Sequence, residues 1–67
     1  MIDFQNVVGF NYTEALPGGA WLKDSVGNVE WYPHVEIVKE LGEDWYSRQR
    51  SKQGWMTGCW IKVEKSA

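Results

Sequence analysis

Apolar residues occur in short stretches, five to eight residues long, separated by glycine-bearing or charged turns. That rhythm suits strands better than helices. Residues 4–12 make the first stretch. It ends in a polar segment holding Pro17, Gly18 and Gly19, where a helix cannot continue and the chain must turn. Ala20, Trp21 and Leu22 resume the apolar character, and residues 24–28 form a turn cluster whose Gly27 and Asn28 tolerate positive φ. With residues 29–32 on its far side, this cluster reads as a loop joining two paired arms. Pro33 opens residues 34–41, in which Val35, Ile37 and Leu41 fall on one strand face with Lys39 between them. An acidic turn at 41–44, a polar-aromatic stretch at 45–50, a second turn at 51–54 and an apolar stretch at 55–63 complete the chain. No repeat, low-complexity tract or linker interrupts it. The pattern predicts an all-β barrel or sandwich over residues 1–67, folded as one domain.

The chain has 67 residues, and a domain of this size buries only about 60% of its unfolded surface, which disfavours an enclosed catalytic cleft. Its formal net charge of -2 gives no general attraction to nucleic acid or anionic membranes. The expected partners are therefore proteins, peptides or small ligands. Charge is unevenly spread: residues 1–46 hold eight of the nine acids and two lysines, whereas residues 47–67 hold five bases and one acid. A single cysteine, Cys59, can form no internal disulfide, and with His34 as the lone histidine no Cys/His zinc site can be assembled. No metal or other cofactor is expected. Cys59 has only that one histidine to activate it, and the carboxylates show no catalytic spacing, so no enzyme is expected either. The absence of a signal-peptide pattern and of an apolar run near the roughly 18 residues of a membrane span predicts a cytoplasmic protein.

Five tryptophans are the compositional anomaly, and their order carries a resemblance. Val35-Glu36-Ile37-Val38-Lys39-Glu40, then Gly42-Glu43-Asp44-Trp45-Tyr46, then residues 54–63 beginning Gly-Trp-Met-Thr, follow one another at intervals that resemble an SH3 domain. Near the start, Val8-Gly9-Phe10-Asn11-Tyr12 followed by Glu14-Ala15-Leu16 is similar to that family's Ala-Leu-Tyr-Asp-Tyr opening, so the resemblance spans residues 8–65. It implies a five-stranded, partly open barrel with a long first loop. It also implies an adaptor-like, monomeric interaction module for extended proline-rich peptides, whose preordered polyproline II helix docks on aromatic ridges at little entropic cost. By that resemblance the groove residues are Phe10, Tyr12, Trp45, Thr57 at the usual proline position, and Trp60 at the usual tyrosine position. Glu14, Asp24, Glu43 and Asp44 would pair with an Arg or Lys of the ligand. Trp45, beside a solvated turn, is expected to be exposed. Arg48 stands where the family has a small apolar core residue, so either a carboxylate pairs with it there or the register differs.

Two further readings use other residues. In a winged-helix DNA-binding protein of excisionase type, residues 35–41 form one helix, Gly42 its turn, residues 43–53 the recognition helix and residues 55–63 the wing. Arg48, Arg50 and Lys52 then face DNA. Against it, residues 43–53 hold only Trp45 and Tyr46 as apolar groups, too few to seat an amphipathic helix on a core. In an assembly or inhibitory module that binds one protein partner, exposed tryptophans are the anchors, and exposed Trp21 and Trp31 would mark it.

Overall fold

The computed structural model describes residues 1–13, 18–54 and 58–63. After a short 3-10 turn at Phe4–Asn6 come strands β1 (Val7–Thr13), β2 (Gly19–Asp24) and β3 (Val29–Pro33). Helices α1 (His34–Leu41) and α2 (Glu43–Gln53) follow, and then strand β4 (Ile61–Lys62). The four strands form one antiparallel sheet in the order β3-β2-β1-β4. The all-β, five-stranded SH3-like barrel is therefore corrected: among the described residues the sheet is open, has four strands, and carries two helices on one side.

Where strands were expected and formed, the reason is alternation. Along β2, Ala20, Leu22 and Asp24 are buried while Trp21 and Lys23 are exposed, the period of a sheet with one covered face. The β2–β3 connection is the anticipated turn cluster, with Gly27 at φ +97°. Asp24 organises it, accepting hydrogen bonds from the amides of Val26 and Asn28, from the Asn28 carboxamide, and from the amide of Asp3 in the N-terminal segment.

The two helices overturn the strand expected at residues 34–41, span the polar-aromatic stretch at 45–50, and take up the turn expected at 51–54 apart from Gly54. In residues 34–41 the period-two reading grouped Val35 with Ile37 and Leu41. In α1, Ile37 is fully buried, Val38 and Leu41 pack against the core, and Val35 points to solvent. Ile37, Val38 and Leu41 have helical spacing as well, and Glu36, Lys39 and Glu40 are better helix formers than strand formers. In α2 the inward positions are Trp45, Tyr46, Gln49 and Gln53. Two glutamines thus complete a buried face that apolar counting found too sparse. Acidic Glu43 and Asp44 at the helix start and basic Arg50 and Lys52 at its end complement the helix dipole. Gly42, at φ +96°, is the whole joint: its amide donates to the Val38 carbonyl, and its own carbonyl accepts from the Tyr46 amide.

The core lies between the helices and the sheet. Phe10, Ala20, Leu22 and Ile37 are completely buried, with Val7, Tyr46, Ile2 and Val63 around them. Trp45 and Tyr46 each meet Phe10 edge-on, with ring centroids 5.8 Å apart. At the sheet edge, β4 pairs with β1 only at Gly9 and Phe10. Beyond it the Gln53 carboxamide takes over: its oxygen accepts from the Tyr12 amide at 2.8 Å, and its nitrogen faces the Tyr12 carbonyl at 3.4 Å. Among the described residues, no helix is long and apolar enough to cross a membrane.

Candidate functional site

The described residues expected to make an aromatic groove do not share one exposed surface. Phe10 is fully buried and offers no face to a ligand. Tyr12 is half-buried beneath the Arg50 guanidinium, whose central carbon sits 4.0 Å from the ring centroid. Trp45, expected to be exposed, is half-buried against Phe10. Glu43 and Asp44 are exposed in the first turn of α2, with Glu43 3.4 Å from the ring of His34. His34 stacks on Tyr46 at 4.4 Å. Glu14 and Thr57 lie outside the described residues. Trp60 is exposed, but on the opposite face of the sheet from Phe10.

That assignment follows from the backbone. Phe10 faces the helices, so its neighbour Gly9 faces the other way. Trp60 lies over Gly9: a Cβ added there would come within 3.1 Å of the Trp60 ring. The same alternation sets Trp21 opposite the buried Ala20 and Leu22, and Trp31, which pairs with Trp21 across β2 and β3, joins it. The Trp31 ring in turn covers Gly19, where an added Cβ would lie 2.6 Å from its Cζ2. Two tryptophans thus each roof a strand glycine, whose missing side chain leaves room for a ring.

The result is a sheet face that no helix of the described residues covers. On it Trp21 is 41% exposed, Trp60 45%, Val29 47% and Val8, at a bulge in β1, 37%. A shallow groove of about 350 Å³ runs between Val8, Gly9, Lys23, Val29, Trp60 and Lys62. The strand register explains the two lysines: Gly9 pairs with Lys62 on one side and Lys23 on the other, and Lys23 pairs with Val29. One row of residues therefore crosses all four strands as Lys62, Gly9, Lys23, Val29. A glycine floor lies between two ammonium groups, with an indole over it.

Three residues expected to be functional or problematic have structural or bland settings. Arg48 is exposed on α2, so the buried guanidinium that the barrel required does not arise. Asp24 is buried and fully engaged in the β2–β3 turn rather than turned toward a ligand. Burial alone would raise its pKa, but the hydrogen bonds from Asp3, Asn28 and Val26 outweigh that and hold the carboxyl below its ordinary value. Cys59 is an exposed free thiol. Burial also pushes the Tyr32 and Tyr46 hydroxyls upward, so both stay neutral at physiological pH.

Sequence reasoning named Trp21 and Trp31, if exposed, as markers of a protein-binding surface and Trp60 as a groove residue on other grounds; Trp21 is exposed and Trp31 half-buried. It passed over Lys23 and Lys62, although period-two alternation within residues 20–24 puts Lys23 beside Trp21 on the outward face. The helix pair joined at Gly42 appears where the DNA-binding reading put it, with Arg48 and Lys52 exposed on α2. The opening turn of that helix, however, presents Glu43 and Asp44. Comparison of the chain with protein-family models, curated proteins and solved structures gives no match.

Proposed function

We propose that this chain is an interaction module that binds one protein partner through the open face of its sheet, with Trp21, Trp31 and Trp60 as anchors. Its mechanism is recognition without chemistry. The observation that supports it is the uncovered face itself. Large exposed rings gathered on one side, where a soluble monomer ordinarily places polar residues, mark an interaction surface. Tryptophan contributes much contact area for little conformational entropy and is enriched among the residues that dominate binding energy. A groove this shallow buries less than a standard interface, so affinity on the order of micromolar is expected for an isolated partner segment. The exposed thiol of Cys59 suits a reducing, cytoplasmic setting for a monomer.

The helical face is the weaker candidate. Its glutamines and aromatics are turned inward, Arg50 is committed to Tyr12, and the end of α2 that would enter a DNA groove is acidic. Affinity capture from cell extract with three versions of the chain separates the two faces. The wild type and an Arg48→Glu variant should retain the same partner, and a Trp21→Ser/Trp60→Ser variant with an unchanged circular dichroism spectrum should lose it. Capture that survives the tryptophan changes but fails with Arg48→Glu would move the function to α2.

A further inference from the structure

Resting on that reading of the sheet face, we infer that the bound partner segment is acidic and apolar: an apolar side chain packed against the Trp60 ring that roofs Gly9, beside Val8 and Val29, flanked by carboxylates that pair with Lys23 and Lys62. The charge layout carries this inference. Among the described residues lining the groove, Lys23 and Lys62 are the ionisable ones and no acid accompanies them. Glu30, the nearest acid in sequence on β3, pairs across the strands with buried Leu22, so it belongs to the other face, and it forms an ion pair with the N-terminal amine. The helices, by contrast, mix Glu36, Glu40, Glu43 and Asp44 with Lys39, Arg48, Arg50 and Lys52. Among the described residues, a chain of net charge -2 has thus kept this surface basic.

Geometry narrows the occupant. Lys62 and Lys23 stand on either side of Gly9, two strand spacings or roughly 9.5 Å apart. Alternate residues of an extended segment are separated by about 7 Å, a difference that two flexible lysine stems absorb. An apolar residue between two acids therefore matches the row: the apolar group meets Trp60 and Val8 while the acids meet the ammonium groups. Single-stranded nucleic acid is the competing polyanion, since bases stack on exposed indoles. Two cations on an acidic chain neutralise too few phosphates to hold one, because affinity there grows with each phosphate neutralised. A short acidic peptide needs only two such pairs.

The test is selection of a random peptide-display library on the intact chain, followed by fluorescence titration of the enriched peptides and of an oligothymidylate. Enriched sequences should place Asp or Glu beside Leu, Ile, Phe or Trp. Their affinity should fall about tenfold or more with Lys23→Glu/Lys62→Glu, fall similarly with raised salt, and be little changed by Arg48→Glu. If the charge reversal disturbs folding, Lys23→Gln/Lys62→Gln removes the charges at nearly constant size and should give a smaller loss. Enriched peptides that are neutral or basic, yet sensitive to Trp21→Ser, would overturn the acidic partner while leaving the sheet-face reading intact. Peptides indifferent to Trp21→Ser and Trp60→Ser would overturn both. Failure to enrich any acidic-apolar sequence, or tighter binding of the oligothymidylate, would overturn the inference.

Discussion

The two faces of the sheet are built from the same strands by the same alternation, yet they are opposite kinds of surface. Toward the helices stand Phe10, Ala20 and Leu22, all fully buried. Away from them stand Gly9, Trp21, Lys23 and Trp31, with Trp60 leaning over the first. The covered face uses side chains that two helices can close over. The open face uses rings laid over glycines, which cover backbone without needing a second layer. Apolar content alone does not separate the covered face from the open one, since the open face carries Trp21, Trp31 and Trp60. What separates them is the company each ring keeps.

Several substitutions would break or sharpen that contrast. Phe10→Ala attacks the covered face where Trp45 and Tyr46 both rest on it. Such a truncation costs about 3–5 kcal/mol, enough to unfold much of a domain whose whole stability is of order 5–15 kcal/mol; urea denaturation followed by circular dichroism should show it. Gly19→Ala attacks the open face where a ring and a strand meet, because the new methyl would strike the Tyr32 carbonyl and the Trp31 ring. A loss of about 1–3 kcal/mol is expected, and a stable variant would mean that the ring yields freely. Gln53→Leu keeps the bulk but leaves the Tyr12 amide and carbonyl without their carboxamide partners. The expected cost is about 1–2 kcal/mol, with faster amide exchange at Tyr12 as its local signature.

Acid sharpens the contrast differently. The folded-state pKa of Asp24 lies below that of the unfolded chain. Its contribution to stability is therefore complete at neutral pH and is lost as pH falls through and below the ordinary carboxylate range. Asp24→Asn should lower stability at pH 7 and flatten the acid limb of the unfolding profile; an unchanged limb would show that other carboxylates govern it. The smallest effect on stability is expected at the open face: Trp21→Ser should change unfolding by no more than about 0.5 kcal/mol while abolishing partner capture. A large destabilisation would instead make Trp21 part of the fold's support.

The first half of the fold was legible because β2 alternates between buried and exposed positions and a glycine-bearing turn joins it to β3. The second half misled for two physical reasons. Ile37 and Leu41 satisfy both a two-residue and a 3.6-residue period, and the resemblance in residue order favoured the first. Gln49 and Gln53 behave as core residues of α2 because β1 supplies partners for at least one of them, a tertiary fact with no local signal. The same limit governed the candidate site. Alternation told which residues lie beside Trp21, but only the placement of α1 and α2 determines which side of the sheet stays open. Trp60 was selected as a ligand-binding ring by a pattern implying a groove shared with Phe10, whereas the sheet separates the two.

The carboxamide of Gln53 also bears on how the chain behaves in a crowded solution. β4 begins only at Ile61, opposite Phe10, so the margin of β1 at Tyr12 would otherwise present a free donor and acceptor, a template onto which the strand of another molecule could add. A side chain that occupies both groups closes that template without extending the sheet. Loss of Gln53 would then reveal itself in concentration-dependent self-association and turbidity, a colloidal failure traceable to one amide side chain.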